Sequence, residues 1–383
     1  MRPVPDLDFT YKDDLTPESL IKVLEESKKI LLAAPNSAMR FGPESLDSRE
    51  YGQRLDAFVC LLKSSPILPL TTDFIQRHFD IFQVYGKRQW GEILLTSYYS
   101  PVVKGTHKPR PPYTRALYAP PKDLVEIDAR AFSKKAETGL SNFDRFKFYG
   151  KLVSAENDPR LPKIVPHFTR QEIDLGGALK NQGLEMAYVE PIEAFFLQIQ
   201  GSGRIVFDDK KEILIGYAGQ NGMKYQSLGR YLIDTMPERF TAEEMNMDVI
   251  ENFLKEIGPA ESEQVLAKNP SYVFFQELKT APMTTLGSAV TDGRTIAVDS
   301  EFFPLGGMAV MQFPDPLDTS DTPFMHTRIV MAQDTGGAIK GPGRADLYWG
   351  EGSVARRYAG MMKHPAKLYF LIPKKEIGFN CKL

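Results

Sequence analysis

Three aspartates in the last third of the chain stand where a carboxylic acid could work on a substrate. Asp299 sits in AVDSEFFPLGG, and Asp334 and Asp346 flank the glycine-rich stretch of AQDTGGAIKGPGRADLYWG. Each falls at the expected end of a strand. A strand-end Asp beside glycines ordinarily binds local N–H groups as a turn residue. Three in similar settings within one short stretch weigh against that reading for all of them. The chemistry they point to is general acid–base catalysis. A carboxyl that donates a proton near neutral pH needs its pKa raised by burial or by a neighbouring carboxylate.

Other chemistries lack their patterns. His78, His107, His167, His326 and His364 are scattered, without HExxH or HxH spacing, so no zinc site is expected. Gly201-Ser202-Gly203 is followed by RIVF, which continues as a strand. A phosphate-cradling loop would lead into a helix. GGAIKGPGR lacks the Walker spacing, and no GxSxG elbow is present. No cofactor and no metal are implied. Cys60 and Cys381 form no CxxC pair.

The chain has 383 residues, 42% of them hydrophobic and 25% charged, which suits a soluble globular protein with two sizeable cores. A net charge of −2 argues against a nucleic-acid binder. From Lys340 to Leu383 nine Lys or Arg face three Asp or Glu. That tail reads either as a solvated basic face or as one drawn to an acidic polymer. No run approaches the ~18–20 apolar residues of a membrane span. The opening MRPVPDLDFTYKDD lacks a signal peptide's apolar region, leaving a cytoplasmic protein or the mature portion of an exported one.

The elements that must position these residues fall into three stretches. The first ninety residues read as helices. One is opened by Thr16-Pro17-Glu18 with Leu20, Val23, Leu24 and Leu31 on one face, and a second starts near Arg49. A third follows Thr72 with Phe74, Ile75, Phe79 and Phe82 buried. GEILLTSYYSPVV reads as a strand, and a Lys-, Gly- and Pro-rich connection marks a domain crossing. Strands and short helices then mix, with capping boxes at Thr169–Glu172 and Thr241–Glu244. EAFFLQIQGSGRIVF reads as a hairpin. From Ser271 onward YVFFQEL, TIAVD, GMAVMQF, TRIVMAQD, ADLYWG and KLYFLIP read as short strands of a closed or nearly closed β-barrel.

Several long segments, in order, resemble the membrane-bound lytic murein transglycosylase A family. They are TSYYSPVV (96–103), EPIEAFFLQIQGSGRI (190–205), IGYAGQNGMKYQSLGRYLI (215–233), NPSYVFFQEL (269–278) and the three-aspartate segments. The loop between Asp334 and Asp346 looks about one residue longer than the family's, and the N-terminal helices match least well. The resemblance implies a mainly β fold with N-terminal helices: a double-psi β-barrel domain, a smaller inserted β-domain, and a groove between them. The boundaries implied are 1–103 and 270–383 for the first domain and 104–269 for the insert. Because that topology joins the two ends of the chain, a Cys60–Cys381 pairing is worth testing.

The activity implied is non-hydrolytic cleavage of the β-1,4 bond between N-acetylmuramic acid and N-acetylglucosamine, leaving a 1,6-anhydro end. Asp346 matches the family's single acid and base; Asp334 and Asp299 match its other two signature aspartates and are assigned support, as like-charge neighbours or by ordering the site. Sugar recognition calls for amides, hydroxyls and aromatic faces. Candidates are Tyr98, Tyr99 and Ser100 at the domain junction, Gln198, Gln200 and Ser202 on the expected hairpin, and Tyr217, Gln220, Asn221 and Tyr225 after it. Strand alternation would put both glutamines on one face, and Gly201 and Gly203 would let a glycan approach the backbone. The plainer reading is that the amides only order the hairpin. The partners expected are peptidoglycan glycan strands, with no nucleic acid and no transmembrane segment, on a monomer. The full-length form is expected in the periplasm as an outer-membrane lipoprotein whose anchor lies upstream of this sequence. Rival readings are a hydrolytic glycosidase pairing Asp346 with Asp334, and a non-catalytic wall-binding module.

Overall fold

The computed structural model describes residues 1–34, 36–65, 68–86, 89–128, 147–154, 162–337 and 339–377. After a short strand β1 (Arg2–Val4), helix α1 (Pro17–Ala33) starts where Thr16 accepts from Ser19 N and Pro17 supplies a preset φ at the first turn. Its buried stripe is Leu20, Val23, Leu24, Ser27 and Leu31. Each large side chain so buried contributes about 1.5–3 kcal/mol. A hairpin of β2 (Ala38–Phe41) and β3 (Glu44–Asp47) leads into α2 (Ser48–Ser64), capped by the Asp47 carboxylate. Cys60 on α2 is disulfide-bonded, and Cys381, the other cysteine of the sequence, lies outside the described residues.

The third helix is shorter than the sequence suggests. Helix α3 (Thr72–His78) ends before Phe79, and Phe79 and Phe82 are buried on strand β4 (Phe79–Gln83). Helical spacing fitted these rings, but five consecutive pairings with the C-terminal strand decide the backbone. Strand β5 (Glu92–Ser100) completes the N-terminal part.

The chain divides at Ser100/Pro101 and Thr280/Ala281 into a barrel unit built from both ends and an insert, Pro101–Thr280. The insert comprises β6 (Val102–Thr106), β7 (Arg115–Tyr118), β8 (Leu124–Asp128), β9 (Lys147–Val153), β10 (Lys163–Val165), α4 (Arg170–Asp174), β11 (Glu185–Val189), α5 (Pro191–Gln200), β12 (Ser202–Phe207), β13 (Glu212–Gln220), α6 (Leu228–Thr235), α7 (Met247–Glu256), α8 (Pro259–Leu266) and β14 (Val273–Leu278). Six of its strands form a sheet in the order β14-β13-β12-β6-β11-β7, and β10-β9-β8 form a second. Strand β14, expected in the returning segment, instead pairs antiparallel with β13 and belongs to the insert.

Two local expectations in the insert are corrected. EAFFLQIQ is helix α5, capped by Glu190 with Pro191 in its first turn, and it ends at Gly201 with φ +79. A short apolar run buried on most sides has no clear period, so a strand and a helix read alike. Thr241 and Glu244 do exchange capping hydrogen bonds, but only a turn follows, and α7 begins after its own cap, Asn246. The Thr169–Glu172 box opens α4 as expected.

In the barrel unit follow β15 (Thr295–Ala297), β16 (Gly307–Pro314), β17 (Met325–Asp334), β18 (Arg344–Glu351), α9 (Gly352–Met361) and β19 (Lys363–Pro373). Pairing runs β19-β16-β17-β15-β18-β5 and returns to β19, so six strands close on themselves. Strands β4 and β1 extend the sheet beyond β19. This is the mainly β, barrel-centred architecture expected. The core includes Leu95, Ile296, Ala332, Ala345, Leu347 and Phe370, all fully buried.

Candidate active site

Strand β15 carries no acid within its paired residues, yet it sets two of the three aspartates side by side. Ala297 pairs with Asp334 of parallel β17 on one side and with Asp346 of antiparallel β18 on the other. Paired residues point to the same face of a sheet, so both carboxylates share the face of Ala297. Asp299 lies two residues beyond Ala297, just past the end of β15. Asp346 also pairs with Thr96 of parallel β5, and Tyr348 with Tyr98. The opposite face, with Leu95, Ile296 and Leu347, is the apolar core.

Asp346 is half-buried, and Thr96 Oγ1 donates to its Oδ1. Arg344, two residues earlier on the same face, donates from Nη2 to Thr96 Oγ1 at 3.1 Å. Burial pushes the Asp346 carboxyl up to about 7. The Arg344 charge pulls against this, and the Asp334 carboxylate adds to it. Desolvation therefore outweighs the nearby cation, and the group is about half protonated at neutral pH.

Asp334 is held differently. Its Oδ1 accepts from Thr285 N (3.1 Å), Thr285 Oγ1 (2.9 Å) and Thr335 N (2.9 Å), and its Oδ2 accepts from Tyr98 OH (3.0 Å). Burial, then the Asp334 charge, push the Tyr98 phenol well up, so it remains a donor. Asp299 is buried, accepting from Glu301 N (3.2 Å) and Gly341 N (2.7 Å). It thereby ties the loop between Asp334 and Asp346 to the end of β15. Four donors hold Asp334 and two hold Asp299, whereas one hydroxyl meets Asp346.

The barrel unit thus brings together Asp346, Asp334, Asp299 and Tyr98. Tyr99 is turned into the protein, 4% exposed, and buried Ser100 bonds Tyr348 OH at 2.9 Å, so neither presents a free group to a sugar. Thr96, Arg344 and Thr285 were missed in the sequence. The i, i+2 spacing of Arg344 and Asp346 on a strand was a usable signal, whereas nothing local marked Thr285.

In the insert, four of the nine residues expected to bind sugar serve the fold instead. Gln198 is buried and accepts from Arg170 Nη2 at 2.7 Å. The face shared by Gln198 and Gln200 does not exist, because both lie on helix α5. Asn221, with no exposed surface, donates to Phe168 O and Pro270 O (both 2.8 Å) and accepts from Tyr272 N (2.9 Å) and Met223 N (3.2 Å). Gly201 terminates α5. A Cβ at Gly203 would lie 2.5 Å from Leu197 and 2.6 Å from Pro101 O, so its smallness serves packing, not ligand approach. Gln200, Ser202 and Gln220 are partly exposed, and Tyr217 (45%) and Tyr225 (42%) remain open to a ligand. Among the described residues, no group of three or more His, Cys, Asp or Glu is placed to hold a metal ion.

Two family models match the chain. The MltA specific insert domain covers residues 94–276, and the 3D domain covers residues 294–372. The membrane-bound lytic murein transglycosylase A of Vibrio cholerae is 30% identical over 296 residues, spanning 76% of this chain and 68% of the relative. A membrane-bound lytic murein transglycosylase from Agrobacterium tumefaciens superposes with a TM-score of 0.72 at 26% identity, over 94% of this chain and 93% of that one. Escherichia coli MltA with bound chitohexaose, at 22% identity, shares the fold, with a TM-score of 0.73 over 97% of this chain and 94% of its own. With these matches the chain belongs to the membrane-bound lytic murein transglycosylase A family.

Proposed function

We propose that this lytic transglycosylase cleaves the β-1,4 bond between N-acetylmuramic acid and N-acetylglucosamine in peptidoglycan without water, with Asp346 as acid and then base. Asp346 protonates the leaving glycosidic oxygen as the C1–O bond breaks. The resulting carboxylate, beside Arg344 and the Thr96 hydroxyl, accepts the proton of the muramic acid C6 hydroxyl as that oxygen bonds to C1. The acid is restored and the product ends in a 1,6-anhydro ring. Ordinary glycosidases divide these roles between two carboxyls ~5–5.5 or ~6.5–9.5 Å apart. An internal nucleophile removes that need.

The observation that carries this reading is the half-buried Asp346 carboxyl, raised to about 7, beside a cation that steadies it once ionised. Asp334 is a poor candidate for activating water, since four donors already engage its oxygens. Asp334 and Asp299 support the acid. Tyr217 and Tyr225 are the insert residues best exposed to stack on sugar rings. The site works with no cofactor, on a monomer in the periplasm. Attachment to the outer membrane by an upstream lipid is part of the same reading, and no described helix is long and apolar enough to cross a membrane.

Mass spectrometry of peptidoglycan digested by the wild type and by Asp346→Asn tests it. Anhydro-muropeptides from the wild type alone are expected. Reducing ends would mean hydrolysis, anhydro products from both proteins would remove Asp346 from the mechanism, and no products from either would favour a wall-binding module.

A further inference from the structure

The pairing of β17 with β15 contains one irregularity, next to the acids. Thr295 pairs with Met331 and Ile296 with Ala332, but Ala297 pairs with Asp334, so Gln333 has no partner on β15. In regular register Gln333 would lie beside Ala297. Asp334 would then turn to the face of Ile296 and Leu347, because a one-residue slip reverses every side chain. The extra residue is what puts Asp334 on the face of Asp346. Bulges beside active sites re-aim side chains in this way.

The bulge residue is pinned by its own side chain. Gln333 has no exposed surface, and its Oε1 accepts from Thr295 Oγ1 at 2.6 Å. Its Nε2 donates to Ser27 Oγ of α1 at 2.9 Å. Ser27 and Thr295 are equally buried. The Thr295 hydroxyl also accepts from Thr291 N at 2.9 Å. The Gln333 carbonyl accepts from Leu286 N at 2.8 Å, which fixes the loop whose Thr285 donates twice to Asp334. A buried amide satisfied on both ends, reaching a helix and a neighbouring strand, specifies one register.

We infer that Gln333 is a positioning residue: its amide, held by Ser27 and Thr295, fixes the bulge that sets Asp334 beside Asp346. The inference rests on the reading of Asp346 as the acid and extends it to a residue that touches no substrate.

The test compares Gln333→Leu, Ser27→Ala and Asp334→Asn with the wild-type chain. The pH profile of kcat/KM on purified glycan strands is measured for each, together with the carboxyl titration of Asp346 by carbon NMR, assigned by its loss in Asp346→Asn. Moving the Asp334 charge away lowers the pH at which Asp346 ionises. Gln333→Leu is therefore expected to shift the NMR midpoint and the alkaline limb down in step with Asp334→Asn, and to cut kcat/KM about tenfold. Ser27→Ala, which keeps the Thr295 bond, should fall between. A folded Gln333→Leu with the wild-type midpoint would overturn the inference. So would a loss of activity that only tracks the unfolded fraction while the midpoint stays put. An active Asp346→Asn would instead refute the earlier reading, while the NMR midpoints would still judge Gln333. Should Gln333→Leu not fold, Thr295→Val replaces it, with the same midpoint deciding.

Discussion

The barrel's aspartates and the insert's amides are both polar clusters within long motifs, yet the fold uses them in opposite ways. Asp346 is half-buried with one hydroxyl contact and a cation nearby, and burial holds its proton. Asn221 is fully buried, and four hydrogen bonds tie it to three backbone segments. A polar residue whose bonds are satisfied by its own chain is a structural part. One left short of partners on a half-open face is free for the role proposed for Asp346. The motif marks both, and only the hydrogen-bond inventory separates them.

The contrast breaks most sharply at the acid. Asp346→Asn should lower kcat by about 10³-fold or more with folding intact, as loss of a general acid does. Mass-spectrometric product rates measure it. Asn221→Leu should do the reverse. It strands buried backbone groups and should cost about 3 kcal/mol of stability in denaturant titration. Activity per folded molecule should be kept, and a loss beyond the unfolded fraction would make Asn221 a ligand after all.

The pH dependence sharpens the same contrast. Asp346 must be protonated to donate, so activity should fall as pH rises through about 7, roughly tenfold per unit beyond it. Its folded pKa is raised above the unfolded value near 4, so its ionisation disfavours the folded state as pH rises between the two. Asp346→Asn should accordingly melt higher than wild type at pH 8, by on the order of 2 °C, with no gain at pH 4. Calorimetry at the two pH values checks this. The smallest effect is expected at the exposed rings: Tyr217→Ala should raise KM about threefold and leave kcat and stability unchanged.

How far the sequence could be read follows the same division. The N-caps at Thr16 and Thr169, the strands around each aspartate and the barrel itself were legible, because local capping and alternation agree with the final fold. Helix α5 was not, since AFFLQI buries nearly all its side chains and hides its period. Phe79 and Phe82 fitted a helix until the partner strand, almost three hundred residues later, claimed them. At the site, Asp346 and Arg344 share one strand and were within reach of reasoning. Thr285 meets Asp334 through a loop of no regular structure, and the offset at Gln333 exists only in the pairing. Contacts made by register leave no trace in the residues themselves.

Strand β19 has a consequence for how the molecule is made. It lies along β16 on one edge, and its other edge is shared between β5 for the first half and β4 for the second. It is the last strand among the described residues, and β5 finds both its barrel neighbours, β18 and β19, only after the whole insert has been produced. The insert's sheets draw solely on strands between Val102 and Leu278, so it can complete while the barrel is still an open set of strands. Folding should then proceed in two stages, a more local insert first and a slow, high-contact-order closure once β19 has been made. Until β19 docks, β5, whose Thr96 donates to Asp346, lacks one of its two barrel neighbours.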